Sequence, residues 1–214
     1  MHKHESFKIL RIDSSVQRDQ SITRKLGDEV VRRLMQEHPA ATLTVRDLAD
    51  PIDLIDADWV CANLTAPAER HEHQHAVLAE SDRLLEELDA ADVVVLTAPV
   101  YNFSVPAALK SWIDMICRAR LSFRYTESGP KGMLRDRPVY LVMASGGMPF
   151  GSPVDFASGY LRHIFAFVGI HDVRMVQVER TGSGVEACER AALDMMGQWL
   201  PAAADTAAAR SQEV

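Results

Sequence analysis

Residues 92–110 read DVVVLTAPVYNFSVPAALK. The run 93–96 is short, β-branched and bounded by Asp92 and Pro99, which is the pattern of a strand covered on both faces; a strand with one face in water would alternate apolar and polar residues. It empties into the loop Pro99-Val100-Tyr101-Asn102-Phe103 and then into a helix opened by Pro106, whose missing N–H costs nothing in a first turn. Such a loop lies at the carboxyl end of a central strand. Open α/β sheets bind ligands there, because turn N–H groups and the next helix's N-terminus converge with nothing else to pair with. A planar, electron-poor ring suits those donors and the two flanking aromatics.

Outward from this stretch, strand-like and helix-like segments alternate. Residues 7–12 read as a first strand, Leu26, Val30 and Leu34 recur at helical spacing within 21–37, and 42–45 reads as a second strand. Residues 47–65 are mixed in polarity and show no period, so they read as a long excursion with room for a short helix. A long helix over 68–88 precedes the third strand, 93–98. Leu109, Trp112, Ile113 and Ile116 then mark one face of the helix after Pro106. Residues 121–137 read as an irregular insertion, 139–144 as a fourth strand ending in Ser145-Gly146-Gly147, and 156–168 as a buried helix. A fifth strand over 173–178 and a last amphipathic helix over 185–200 follow; the Ala-rich tail after about residue 201 needs no fixed structure. Strands separated by helices predict one α/β domain spanning 1–214, doubly wound around a five-stranded parallel sheet, because each parallel crossover needs a helix and right-handed crossovers put helices on both faces.

Composition narrows the function classes. The 214-residue chain is 47% apolar, no stretch is long and apolar enough to span a bilayer, and MHKHESFK at the start has no apolar segment before a cleavage site, so a cytoplasmic protein is expected. Cys61, Cys117 and Cys188 are far apart and form no CxxC pair, as unpaired thiols in a reducing compartment would be. The net charge of −7, with Arg and Lys scattered among acids, argues against nucleic acid. His71, His73 and His75 invite a metal reading, but only His71 and His75 share a helical face and no carboxylate or cysteine completes a set; they read as a solvated first turn, as do His2 and His4 at the N-terminus, and no metal is expected.

Two more loops sit at carboxyl ends of strands. Residues 14–21, Ser-Ser-Val-Gln-Arg-Asp-Gln-Ser, are rich in hydroxyls and amides and lead straight into a helix. Hydroxyls and free N–H groups at a helix N-terminus can hold a dianion such as phosphate without a full counter-charge. Asp19 does not suit an anion, so either it points outward or Arg18 offsets it. The same residues would also make an ordinary polar loop ending in an N-cap. Ser145, Gly146 and Gly147 let a backbone approach a flat ring closely, although a Ser-Gly-Gly segment alone is also a plain turn.

P-x-Y-N-F at Pro99 to Phe103, P-x-x-L-K at Pro106 to Lys110, F-R-Y-T-E-S-G-P at Phe123 to Pro130 and S-G-G after the fourth strand together resemble the FMN-dependent NADH-azoreductases, a flavodoxin-like family, over nearly the whole chain. The resemblance implies the flavodoxin-like strand order 2-1-3-4-5 and a homodimer with FMN near the interface. It also implies ping-pong hydride transfer from NADH or NADPH to a quinone or azo compound. Carried over residue by residue, it implies that Ser15, Gln20 and Ser21 hold the phosphate. Pro99, Val100, Tyr101, Asn102 and Phe103, with Ser145, Gly146 and Gly147, then border the ring, and Phe123 and Tyr125, beside Arg124, belong to the substrate pocket or the dimer seam. The chain departs from the pattern at Ser122, where Thr is usual, and at Ala144-Ser145, where the family often has Ser-Arg; the backbone role of that loop survives the missing arginine.

In that reading no side chain acts as nucleophile or general base, since the cofactor carries the chemistry. Trp59, Phe165 and Phe167 could extend an aromatic wall over the flavin, but aromatics of this kind usually fill cores. Three rivals follow from the same pattern. A flavodoxin-like electron carrier shares the fold and FMN without oxidising a nucleotide. A phosphorelay receiver needs an aspartate where this chain has Thr97-Ala98-Pro99. A serine hydrolase needs His171 beside Ser14 or Ser15.

Overall fold

Parallel neighbours need a crossover, and this chain supplies helices between its core strands. The structure is a computed structural model that describes residues 6–50, 52–179 and 184–200. In it β1 (Lys8–Asp13) leads through α1 (Ile22–Glu37) to β2 (Thr42–Asp47), and α2 (Ala57–Leu64) and α3 (Glu72–Ala90) lead on to β3 (Val93–Pro99). After α4 (Ala107–Ile116) come β4 (Phe123–Thr126) and β5 (Gly129–Gly132), then β6 (Val139–Ser145), α5 (Ser158–Val168), β7 (Val173–Glu179) and α6 (Val185–Gly197). The sheet has the order β2-β1-β3-β6-β7, all parallel, which is the expected 2-1-3-4-5 once β4 and β5 are set aside.

The period of two along β3 divides the core. Val94, Leu96 and Ala98 join Leu84 and Leu88 of α3, Trp112 and Ile113 of α4 and Phe165 of α5 on one face. Val93 and Val95 meet Leu26, Val30 and Leu34 of α1 and Ala192 and Met196 of α6 on the other. With both faces covered, every residue from Val93 to Ala98 is buried, hence the unbroken apolar run. α1 comes unusually close: a Cβ on Gly27 would stand 2.6 Å from Thr97 Cγ2, so the helix reaches β3 only because a glycine faces it. Arg137, its side chain fully buried, donates to the carbonyls of Leu88, Asp89 and Ala91 and so closes the end of α3 just before β3.

The reading of 121–137 as irregular is corrected. Phe123–Thr126 and Gly129–Gly132 pair antiparallel, with Tyr125 opposite Pro130, around a turn in which Thr126 Oγ1 donates to the Gly129 carbonyl at 2.7 Å and Gly129 has φ +110°. Gly-Pro-Lys-Gly has no strand propensity. It is extended because the arm is docked on the end of α5, where the Met133 and Leu134 N–H groups both donate to the Val168 carbonyl, at 3.1 and 2.9 Å. The long helix also starts later than expected, at Glu72: Pro67–Glu69 forms a 3-10 turn and His71 is the N-cap, its N–H held by Gln74 Oε1 at 3.1 Å. His73 and His75 are exposed on its first turn; His2, His4 and the tail after residue 200 lie outside the described residues. Among the described residues no helix is long and apolar enough to cross a membrane.

At the arm's root a Cβ on Gly132 would meet the Gly169 N at 2.2 Å and the Val168 carbonyl carbon at 2.4 Å, backbone that cannot rotate aside. Gly132→Ala is expected to lower stability by about 2 kcal/mol, a fall of roughly 5 °C in Tm for a chain of this size, in a thermal melt followed by circular dichroism. Gly159→Ala, with nothing within 4 Å of its Cβ, is the matched control and leaves Tm unchanged or slightly raised.

Candidate cofactor site

At the carboxyl edge of the sheet three loops meet. The first leaves β1 at Ser14, whose N–H and Oγ both donate to the Thr97 carbonyl, at 3.0 and 2.7 Å, while Thr97 Oγ1 donates to Asp13 Oδ1 at 2.7 Å. Ser15 Oγ accepts the Gln17 N–H at 3.3 Å. Ser21 is the N-cap of α1: its Oγ accepts the Arg24 N–H at 3.4 Å and pairs with Thr23 Oγ1 at 2.9 Å. No acidic residue stands in the first turn of α1, and within the described residues the N–H groups of Ile22 and Thr23 have no partner. The positive end of the helix dipole and two free donors therefore open on this loop. Asp19 is exposed and Arg18 pairs with Asp50 at 2.6 Å, so the outward alternative for Asp19 is the one found.

The second loop follows β3. Val100 N–H donates to the Ala144 carbonyl at 2.8 Å, and Tyr101 and Ser104 exchange both backbone hydrogen bonds at 3.0 Å. Between them Asn102 and Phe103 have φ +48° and +70°, the geometry of a two-residue type I′ turn. Asn tolerates this region; Phe does not, and the strain is held by the Tyr101–Ser104 pair and by the Phe156 N–H, which donates to the Phe103 carbonyl at 3.2 Å. The N–H groups of Asn102 and Phe103 are themselves without partners within the described residues. The third loop follows β6. Ser145 Oγ donates to the Met148 carbonyl, Gly147 has φ +153°, and a Cβ on Gly146 or Gly147 would meet nothing within 4 Å. Asp155 braces this loop from below, its carboxylate taking the N–H groups of Gly151, Ala157 and Ser158 at 2.9, 3.1 and 2.9 Å. Burial by itself would raise its pKa, and these bonds with that of the Ser158 hydroxyl outweigh burial and hold it below the usual carboxylate range.

Between the loops lies a cleft of about 270 Å³. Ser15, Gln20 and Ser21 line it from the first loop, Pro99, Val100 and Tyr101 from the second, and Ser145 and Gly146 from the third. Gln17, Ile22, Thr23, Ala144 and Val178 complete it, five residues that the sequence reading did not assign to the site. None of these side chains carries a charge. Asn102 stands outside the cleft, in a neighbouring groove of about 680 Å³ walled by Pro106, Phe156 and Tyr160, and Tyr101 borders both spaces. Phe103 and Gly147 are not in the cleft wall.

The hairpin aromatics are elsewhere. Phe123 is buried and packs on Phe167 with ring centroids 4.4 Å apart, while Tyr125, 76% exposed, meets Phe123 edge-on at 5.5 Å; neither lines the cleft. Trp59 and Phe165 are core residues. His171 precedes β7 and so lies at the amino ends of the strands, the opposite edge from Ser14 and Ser15, which removes the hydrolase reading. The cleft's donor set is neutral hydroxyls, amides and free N–H groups at a helix N-terminus, beside open space over Gly146 and Gly147. That set fits a phosphorylated, planar group.

Comparisons with known proteins place the chain in a family. The model of a family described as having a flavodoxin-like fold matches residues 7–200. An FMN-dependent NADH:quinone oxidoreductase of Jannaschia sp. is 44% identical over 184 residues, 86% of this chain and 94% of that one. Another, from Hahella chejuensis, is 43% identical over 173 residues, 81% and 85% of the two chains. Among solved structures, an azoreductase from Bacillus anthracis superposes with a TM-score of 0.82 at 25% identity, covering 91% of this chain and 99% of its own. An FMN-dependent NADH-azoreductase from the same species, in complex with FMN, gives 0.78 at 26% identity, covering 88% and 94%.

The strain at Phe103 is measurable. Phe103→Gly places the residue that a type I′ turn favours and is expected to raise stability by about 1 kcal/mol, roughly 3 °C in Tm, in a denaturation series. A fall instead would mean that the half-exposed Phe103 ring contributes more than its backbone costs.

Proposed function

This chain belongs to the flavodoxin-like FMN-dependent NADH:quinone oxidoreductases, and on that premise we propose that its uncharged cleft holds FMN. It is an oxidoreductase that reduces quinones and azo compounds with NADH. The observation that carries the site assignment is the convergence of three loops, from β1, β3 and β6, on one cleft whose donors are all neutral. When bound, FMN supplies the two-electron hydride chemistry that links NADH oxidation to reduction of the acceptor.

The chain's own residues bind and orient. Ser15, Gln20 and Ser21, with the N–H groups of Ile22 and Thr23, are the phosphate donors, and Pro99, Val100, Tyr101, Ser145 and Gly146 border the ring; Gly147 lies just beyond the cleft wall, and the free N–H groups of Asn102 and Phe103 stand in the adjoining turn, outside the cleft. No nucleophile is needed. Burial, and then Asp114, push the Cys117 thiol up to about 11, so it stays protonated and inert. The electron-carrier alternative is set aside, since the relatives named above are NADH:quinone oxidoreductases.

The cellular form we propose is a cytoplasmic homodimer. Its support is the apolar surface of one corner: Val60 and Leu64 on α2, Leu121 just before β4 and Tyr125 on β4 are exposed, and Arg120 ties the two segments by donating to the carbonyls of Asn63 and Leu64 at 3.4 and 3.5 Å. Residues spread singly would need no explanation, but a hairpin that leaves a tyrosine 76% exposed does. Phe123 and Tyr125 then belong to the seam, where substrate enters. The three free thiols fit a reducing compartment.

Purified protein is expected to show a flavin absorption band that bleaches with NADH under anaerobic conditions and returns when a benzoquinone is added. A flavin that NADH cannot bleach would make the chain an electron carrier, and no uptake of FMN would sink the assignment. Ser15→Ala with Ser21→Ala is expected to weaken FMN binding at least about tenfold, read by quenching of FMN fluorescence, since each removes a hydroxyl from the phosphate end. Light scattering is expected to give twice the chain mass, and Tyr125→Asp to shift it toward the monomer.

A further inference from the structure

Behind the phosphate end of the cleft is a buried knot of charge that the cofactor reading does not use. Arg24, on the first turn of α1, has a side chain only 10% exposed. Its Nη2 donates to the Ser15 carbonyl at 2.7 Å and to Asp47 Oδ1 at 2.6 Å; its Nη1 donates to Asp47 Oδ2 at 2.9 Å and to Asp13 Oδ2 at 3.4 Å. Those four contacts use all four terminal N–H bonds of the guanidinium. The one remaining, on Nε, is buried and has no partner. Arg24 is left with that one buried N–H, and its side chain does not line the cleft.

Arg24 instead orients the loop. The peptide joining Ser15 to Val16 is planar and trans, so with its carbonyl drawn inward to Arg24 its N–H points the opposite way, out of the protein. That N–H, on Val16, has no partner within the described residues, and Ser15 and Gln17 on either side of it line the cleft. The clamp is itself clamped. Arg11 contacts Asp13 Oδ2 at 2.9 Å through Nε, donates to the Arg24 carbonyl at 3.0 Å and pairs with Asp28, while Asp47 also takes the Ala49 N–H at 2.9 Å. Asp47 lies below the usual carboxylate range: burial would raise it, and the bonds from Arg24 and Ala49 outweigh burial.

We propose that Arg24 is the positioning residue of the phosphate loop, and that by fixing the Ser15–Val16 peptide it makes the cleft select a phosphorylated flavin over the same flavin without its phosphate. The proposal rests on the FMN reading above. A planar fork is required: it meets two carboxylates and a carbonyl at once, which the three rotating donors of a lysine cannot do in one plane.

The test titrates apoprotein with FMN and, separately, with riboflavin, following flavin fluorescence, for the natural chain and for R24K. R24K keeps the charge and loses the fork. It is expected to bind FMN at least about tenfold more weakly while riboflavin affinity stays within about twofold. Equal weakening of both flavins, or of neither, would reduce Arg24 to a structural ion pair and overturn the proposal. Failure of the natural chain to bind FMN would instead overturn the cofactor reading, a separate result. If R24K does not fold by circular dichroism, D47N decides the matter: it removes charge from the bidentate partner but leaves Arg24 in place, and a smaller loss confined to FMN supports the clamp, whereas an unchanged ratio of the two affinities refutes it.

Discussion

The Thr97 carbonyl takes two hydrogen bonds from one residue, the N–H and the hydroxyl of Ser14. The rest of the functional edge depends on that bond pair. It ends β1 opposite Thr97, two residues before β3 ends, and Thr97 Oγ1 extends the tie to Asp13, where the chain turns off toward α1. Gly27 then lets α1 lie close enough to Thr97 for its N-terminus to open onto the loop just formed. Were β1 free to slide by one residue, its side chains would exchange faces, and both the core and the loop would be lost together.

A chain with a net charge of −7 has built a cleft with no ionised side chain in its wall and has placed the ion pairs one layer behind. In that arrangement charge does mechanical work, holding backbone in place, while neutral donors face the cleft. Such donors do not titrate in the physiological range, and in the neighbouring groove burial, and then Asp114 and Cys117, push the Tyr160 phenol up to about 12.

Much of this was legible in the chain. The β-branched run before Pro99 announces a strand covered on both faces, because only such a strand can be apolar throughout, and Ser21 before a helical repeat announces a cap. What could not be read is what tertiary contact alone creates. Gly129-Pro130-Lys131-Gly132 carries no strand pattern and is extended only because α5 offers it a carbonyl to dock on. Val178 enters the cleft from a strand remote in sequence, and its apolar side chain signals core, not ligand. Thr23, two residues past the cap, was within reach of the reasoning that found Ser21. Arg24 was not, for nothing in Ser-Ile-Thr-Arg says that the arginine turns back beneath the loop and not out to water.

Gly132 and Gly169 lie against one another with no side chain between them. Backbone packed on backbone leaves no rotamer to absorb a shift, and the two N–H bonds from Met133 and Leu134 to Val168 cross the same joint. The arm and the last turn of α5 are thereby tied into one cooperative unit: the amides of Met133, Leu134 and Ile170 are expected to share one opening free energy, so the hairpin becomes open to a protease only together with the helix end.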